Sequence, residues 1–202
     1  MKYLKMLSLA AVVAAAFAFA GVGTASATVM CTTTSEPCGS VYEGGVAAKL
    51  ETGTKAKLKT NLGVVECSVS NSSGFVASNG EGEIEQLTFE TCNIGLTPCS
   101  VEVLNKPYSA VVTASAALGD VNGTLAVSSG GSGNPGAHVE CLGVINCTFS
   151  KATVTLTALG GAPGKLTANT ELERSGGLCP ETSTWEAKYV LTEPAALYVL
   201  NN

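Results

Sequence analysis

Catalytic side chains are scarce in this sequence. It contains one histidine, His138, and one aspartate, Asp120. A triad hydrolase needs a histidine base, a carboxylate that orients it, and a nucleophilic serine on a sharp turn. The G-x-S-x-G pattern typical of such a turn is absent, and the nearest approach, at residues 130–133, lies in a flexible Gly/Ser stretch. We therefore expect no catalytic triad.

Metal-binding and redox patterns are also lacking. No C-x-x-C pair is present, which argues against a thiol redox enzyme. Zinc sites usually combine closely spaced cysteines with histidines, whereas the cysteine pairs here are more widely spaced. Asp120 and Asn122 offer only two side chains to a calcium ion, and a calcium loop needs more oxygen ligands. The sequence predicts no catalytic residue, no metal ion and no cofactor.

Positive charge is the third scarcity. The chain has 11 basic and 16 acidic residues, so its net charge is −5. Neutralisation of phosphate groups dominates the affinity of proteins for nucleic acids. The one basic cluster alternates along a predicted strand, which is typical of a solvated face or a protected sheet edge. It consists of Lys49, Lys55, Lys57 and Lys59. The sequence therefore predicts no nucleic-acid partner.

The N-terminal residues have the three parts of an export signal. Lys2 and Lys5 precede an apolar run that leads to an A-x-A site at residues 25–27. The run is shorter than the roughly 20 apolar residues of a membrane span. We predict a helical signal peptide at 1–27 and a mature chain at 28–202. After cleavage we expect no stable membrane insertion, and a location outside the cell or in the cell envelope.

Eight cysteines lie in the mature chain, and an even number in an exported protein predicts disulfides. Three pairs that are close in sequence each flank a turn-rich segment, and we expect them to close locally. These pairs are Cys31–Cys38, Cys92–Cys99 and Cys141–Cys147. Cys67 is then left for Cys179, which ties an early strand to the last third of the chain. The alternative pairs Cys67 with Cys92 across neighbouring strands.

Alternation of apolar and polar residues dominates the mature chain. Residues 153–159 place apolar side chains on one face and threonines on the other, and 165–173 and 185–192 alternate similarly. Counting such runs gives roughly ten to thirteen short strands. The sequence predicts an all-β fold: a single antiparallel domain, either a β-sandwich or barrel-like, stapled by disulfides.

Turn signals separate the predicted strands. Asn79-Gly80 and Asn122-Gly123 predict tight hairpins, because Asn and Gly tolerate positive φ. The Gly/Ser stretch at 128–136 fits either a domain linker or a surface loop. Because the strand pattern continues unchanged on both sides of it, we expect a surface loop.

Glu81, Glu83 and Glu85 alternate along one predicted strand and share one face. Residues two apart in a strand lie about 7 Å from one another. This spacing falls within the roughly 5–10 Å that separate the two carboxylates of a glycosidase. A row of glutamates is, however, also typical of a solvated face. The glutamates therefore support an alternative function, a secreted carbohydrate-active hydrolase that uses a glutamate pair.

Three segments carry a resemblance to known proteins. They are Cys67-Ser68-Val69-Ser70, Leu87-Thr88-Phe89-Glu90-Thr91-Cys92, and Cys179-Pro180 followed by Trp185-Glu186-Ala187-Lys188-Tyr189. In these segments the chain resembles a group of exported, cysteine-containing, β-rich proteins of high-GC Gram-positive bacteria. The shared residues are cysteines and strand residues, and the resemblance implies no activity.

The sequence thus favours a non-enzymatic exported module that acts by binding or as a structural element. A cell-envelope component or a carbohydrate is the partner that fits such a module. The carbohydrate-active hydrolase is the alternative. A third hypothesis, an adhesin or surface-layer component, predicts that the protein associates with itself.

Overall fold

The computed structural model describes residues 27–117, 119–142, 145–177 and 179–201, and every regular element in this part of the chain is a β strand. The predicted signal peptide, apart from its last residue, lies outside the described residues. The strands are β1 (Thr28–Cys31), β2 (Gly44–Leu50), β3 (Ala56–Thr60), β4 (Gly63–Val76), β5 (Glu81–Ile94), β6 (Thr97–Leu104), β7 (Tyr108–Ala114), β8 (Gly123–Ser129), β9 (Gly136–Cys141), β10 (Ile145–Ser150), β11 (Thr153–Leu159), β12 (Lys165–Gly177), β13 (Thr182–Glu193) and β14 (Tyr198–Asn201).

Twelve of these strands close into an antiparallel barrel with eight strand positions. Single long strands fill four positions, β4, β5, β12 and β13. Two shorter strands in line fill each of the others: β2 with β3, β6 with β7, β8 with β9, and β10 with β11. Neighbours along the chain are neighbours in the sheet, and β13 pairs with β2 and β3 to close the barrel. The predicted all-β antiparallel fold is confirmed, and it is a barrel.

The interrupted positions break where the backbone leaves the regular strand conformation. Gly53, between β2 and β3, has a φ of 80°, and Asn105, between β6 and β7, has a φ of 61°. Pro107 follows Asn105 closely and has no N–H to donate to a neighbouring strand. The predicted surface loop within 128–136 is confirmed as the connection 130–135 between β8 and β9.

Alternating burial directs one face of each strand into the barrel. Along β11, Val154, Leu156 and Ala158 are buried and the threonines between them are exposed, as their alternation predicts. Ala187 and Tyr189 of β13 are buried in the same way. The inward-facing residues form the main hydrophobic core, so the core is the interior of the barrel.

One end of the barrel is covered by the terminal strands. β1 and β14 pair antiparallel as a separate two-stranded sheet. Thr28 lies over the end of β7, where its hydroxyl accepts a hydrogen bond from the N–H of Ala114 at 3.0 Å. A second hydrophobic cluster fills the space beneath this sheet. Its buried members are Met30, Val76, Leu197 and Val199. We call this the covered end.

At the opposite end, which we call the disulfide end, two bridges link strands of the barrel and a third links β10 to the connection between β12 and β13. The four disulfides of the protein are Cys31–Cys38, Cys67–Cys92, Cys99–Cys141 and Cys147–Cys179. The local bridge Cys31–Cys38 is confirmed, and the alternative Cys67–Cys92 replaces the predicted Cys67–Cys179. The predicted bridges Cys92–Cys99 and Cys141–Cys147 are wrong.

The alternation of the antiparallel ladder explains why Cys92 does not bond to Cys99. Cys67, Cys92, Cys99 and Cys141 lie in one row across four neighbouring strands. In an antiparallel sheet, the N–H and C=O of one residue point to the same neighbouring strand. Each residue therefore forms a wide hydrogen-bonded pair with one neighbour and a close non-hydrogen-bonded pair with the other. The two bridged pairs have Cα–Cα distances of 3.9 Å and 4.2 Å, so they are of the close type. The pair Cys92–Cys99 between them is therefore a wide pair, with its side chains farther apart.

Register also separates Cys141 from Cys147. Across the β9–β10 hairpin, Cys141 lies opposite Ile145 and Cys147 lies opposite Val139, so the two cysteines are offset along the strands. Cys147 also borders the end of β12 and reaches Cys179 just beyond it. All eight cysteines are paired, which indicates an oxidising environment. Among the described residues no helix is long and apolar enough to cross a membrane.

The two predicted Asn-Gly turns have different outcomes. Asn79-Gly80 turns β4 into β5, and Gly80 has a φ of 85°, as predicted. Asn122-Gly123 is not a tight turn, because the longer connection 115–122 joins β7 to β8. Gly123 instead begins β8, where a Cβ atom would lie 2.2 Å from the carbonyl oxygen of Thr113. Close approach of two strands requires glycine at this position.

Candidate functional site

The interior of the barrel is lined by many small side chains. A barrel of eight strands has an interior just wide enough to be filled by side chains or to hold one small ligand. The sequence has 5% aromatic residues, so few large groups are present to fill it. Six alanines take buried positions in the barrel strands instead: Ala48, Ala56, Ala110, Ala158, Ala168 and Ala187. Space therefore remains between the walls.

This space is divided into two cavities. The first, which we call the tryptophan cavity, has a volume of about 110 Å³ and lies toward the disulfide end. Its lining includes Val65, Phe89, Val139, Leu172 and Trp185. Almost all of its surface comes from aliphatic and aromatic side chains, so the cavity favours apolar contents.

The second cavity has a volume of about 100 Å³ and lies under the terminal strands of the covered end. Met30 and Val199 contribute to its wall, and we call it the methionine cavity. Four residues line both cavities and form the partition between them: Ser72, Ile84, Leu125 and Leu166. The partition consists of side chains, which change rotamer more easily than backbone moves.

The two tyrosine hydroxyls of the tryptophan cavity are bonded within the protein. Tyr189 Oη and Ser70 Oγ are 2.9 Å apart in the buried interior. Burial raises the pKa of Tyr189 to about 12, and its hydrogen bond with Ser70 opposes this rise. The hydroxyl of Tyr108 donates to the carbonyl oxygen of Leu104, and burial raises its pKa as well. These hydroxyls stay protonated near neutral pH, and their bonds position them in the wall.

Trp185 is the exception among these groups. Its indole Nε1 is buried and has no hydrogen-bond partner among the described residues. The ring of Phe89 meets the indole in a T-shaped contact, with ring centroids 6.2 Å apart. A buried donor without a partner is unfavourable, since it has lost its bond to water. Trp185 also lines the tryptophan cavity, so this unpartnered donor belongs to a side chain of its apolar wall.

The glutamates that suggested a glycosidase lie elsewhere. Glu81, Glu83 and Glu85 are exposed on β5, so their carboxylates are on the outer face of the barrel. They follow the alternation expected of a solvated strand face. The structure brings no second row of glutamates opposite them on an interior wall of the described barrel.

His138 and Asp120 are not brought together. His138 lies on β9, and its Nδ1 is 3.0 Å from the hydroxyl oxygen of Thr148 on β10. Asp120 lies in the connection between β7 and β8, where it accepts the backbone N–H of Asn122 at 3.0 Å. Hydrogen bonds from Ser115 and Asn122 lower the pKa of Asp120. Each residue thus stabilises its own local structure.

Three of the four clustered lysines form surface ion pairs. Lys55 and Lys57 bind the carboxylate of Glu66 at 2.7 Å and 2.8 Å, and Lys59 binds Glu186 at 2.5 Å. The hydrogen bonds of Lys55 and Lys57 lower the pKa of Glu66 to about 2. The neutralised lysines cover the outer face of β3 near the disulfide end. Among the described residues no group of three or more acidic, histidine or cysteine side chains is placed to hold a metal ion.

Sequence reasoning placed Trp185 in an alternating strand, and it missed the cavity that Trp185 and Phe89 line. A weak signal was present, because inward positions of the predicted strands hold alanine where a filled barrel needs larger side chains. Comparison with known proteins finds no matching family model, no similar curated protein and no similar solved structure.

Proposed function

We propose that this protein is an exported, non-enzymatic binding module that holds a small apolar molecule inside its barrel. The observation that carries the proposal is the tryptophan cavity, about 110 Å³ of apolar space inside the barrel. An engineered apolar cavity of about 150 Å³ binds benzene, so a cavity of this order accepts a compact guest. A guest gains the dispersion contacts that an empty cavity lacks.

Export is part of the same proposal. Four disulfides need an oxidising compartment to form and persist, and the sequence begins with the pattern of a signal peptide. A rigid cross-linked barrel also keeps its cavity preorganised, which lowers the cost of ordering the site when a ligand binds. A secreted or cell-envelope location gives such a module access to molecules outside the cytoplasm.

Trp185 makes the proposal directly testable, because it is the one tryptophan of the chain and it lines the cavity. Titration of the mature, oxidised protein with benzene should change the tryptophan fluorescence and saturate with a Kd of about 0.1–1 mM. At ten times the Kd, benzene should raise the Tm by about 3–5 °C.

Two substitutions of the same kind separate cavity binding from nonspecific binding. Ala56 is buried in the wall of the tryptophan cavity, whereas Ala195 is exposed between β13 and β14. Ala56→Leu should fill the cavity and weaken benzene binding at least tenfold, and Ala195→Leu should leave it unchanged. Unchanged binding by a folded Ala56→Leu protein, or no saturable binding by the wild type, rejects the proposal.

A further inference from the structure

We propose that the tryptophan cavity selects apolar molecules with one hydrogen-bond acceptor, and that the acceptor binds the indole N–H of Trp185. This inference rests on the proposed binding function and adds the chemical class of the ligand. It follows from two independent features of one site, an apolar cavity and a buried donor without a partner.

The tyrosine hydroxyls of the wall already have partners, and the hydroxyl of Ser72 both donates and accepts, so only the indole donor favours an acceptor ligand. Tyr189 and Ser70 bond to each other, and Tyr108 bonds to the carbonyl oxygen of Leu104. A ligand gains little by competing for groups that already have partners, because it must first break their bonds. Trp185 Nε1 has no bond to break, so an acceptor placed against it gains a full hydrogen bond.

Tryptophan restricts the class of ligand further. The indole nitrogen is a donor only, so it recognises an acceptor such as an ether, ketone or ester oxygen and gives nothing to a donor group. A charged ligand is disfavoured, because an apolar cavity offers no counter-ion. The cavity volume limits the guest to about the size of a five- or six-membered ring. The expected ligand is therefore a small, neutral, largely apolar molecule with one oxygen acceptor.

Cyclopentane and tetrahydrofuran form a matched pair of probes, since a ring oxygen replaces one CH2 group at nearly constant size. After correction for their different transfer free energies from water to alkane, tetrahydrofuran should bind about fivefold to thirtyfold more tightly. The rise in Tm measures both affinities. The single indole N–H proton resonance should move downfield with tetrahydrofuran and stay nearly unchanged with cyclopentane.

Trp185→Phe keeps an aromatic side chain and removes the N–H. This variant should still bind cyclopentane and should lose the corrected preference for tetrahydrofuran. This inference is overturned if the wild type binds tetrahydrofuran and cyclopentane with equal corrected affinities, or if tetrahydrofuran leaves the N–H chemical shift unchanged. Either result leaves the binding function intact. Failure of both probes to bind rejects the binding function itself. The resonance is measured on the wild type, so the test stands even where the variant does not fold.

Discussion

The two ends of the barrel are closed by different means. At the covered end, β1 and β14 lie across the opening and bury Met30 and Val199 against Val76 and Leu197. At the disulfide end, two bridges join neighbouring strands, a third joins β10 to the β12–β13 connection, and no terminal strand covers the described turns. The comparison shows that the barrel core is supplemented by a packed terminal sheet at one end and by three of the four disulfides at the other.

The two ends also differ in the exposure of apolar side chains at their turns and beneath their covering strands. Leu62, Leu96 and Leu142 lie at three turns of the disulfide end, with exposed fractions of 50%, 102% and 74%. At the covered end, the apolar side chains beneath the terminal strands are buried, with Met30 at 2% and Val199 at 4% exposed, whereas Phe75 and Leu159 on the outer surface are 42% and 41% exposed. Exposed leucines add little to the free energy of unfolding, so the turns of the disulfide end add little packing to the core beneath them, and the bridges are the additional constraint there.

The largest expected effect is loss of a bridge at the disulfide end. Replacing Cys99 and Cys141 together by alanine opens a loop with a sequence separation of 42. Chain entropy predicts a loss of about 4 kcal/mol in the free energy of unfolding. The same change at Cys31 and Cys38, separated by 7, should cost about 2 kcal/mol. Denaturant titration measures both, and equal losses contradict the dependence on loop length.

Packing should matter most at the covered end. Met30→Ala removes a buried side chain from beneath the terminal strands and should cost about 3 kcal/mol. Leu96→Ala truncates a fully exposed side chain at the disulfide end and should change stability by less than about 0.5 kcal/mol. Thermal and denaturant unfolding compare the two variants. A large loss from Leu96→Ala means that the leucine turns pack against something in solution.

Tyr189 tests the interior between the two ends through alkaline pH. Its pKa is raised from 10.0 to about 12 in the folded protein, so its contribution is complete below pH 10 and is lost as the pH rises through 12. The loss amounts to about 2–3 kcal/mol for this one group. Tyr189→Phe should flatten the decline of stability between pH 10 and 12. Tyr42 and Tyr108 remain in both proteins, so identical slopes contradict the assignment to Tyr189.

The smallest effect concerns the surface of the disulfide end. Lys55 and Lys57 lower the pKa of Glu66 from 4.5 to about 2. Its stabilisation is therefore present above pH 4.5 and is lost as the pH falls through 2. Because the ion pairs are partly exposed, the contribution should stay below about 1 kcal/mol.

Stability curves against pH test this contribution. Glu66→Gln should flatten the acid decline, and Glu171→Gln, an exposed change on β12, is the matched control. If the stability of Glu66→Gln falls more steeply with decreasing pH than that of the wild type, the predicted stabilisation by ionised Glu66 is wrong.

Much of the fold follows from local pattern. Thr153–Leu159 alternates as a strand with one buried face, and the structure has that strand with the same bounds. The Asn79-Gly80 turn and the loop within 128–136 were also predictable, because turn residues act over a few positions. The choice between sandwich and barrel was not predictable, because it depends on whether β13 returns to pair with β2 and β3.

The disulfide pairing and the cavity could not be predicted from local sequence pattern. Sequence proximity favoured Cys92–Cys99, but the ladder gives Cys92 a close contact with Cys67 instead. Trp185 was recognisable as an inward strand residue, yet its unpartnered N–H became visible only with the surrounding walls in place. Both outcomes depend on which strands meet, and strand partners are distant in the chain.

The sequence by itself determined the strand-rich composition, the inward and outward faces, the participation of every cysteine in a bridge and the shortage of large side chains. Those properties are set by each residue and its near neighbours. Only the tertiary structure decided the closure of the barrel, the disulfide partners, the covered end and the cavity beside Trp185. These arise from pairing and volume across the whole barrel, where residues far apart in the chain must share one interior.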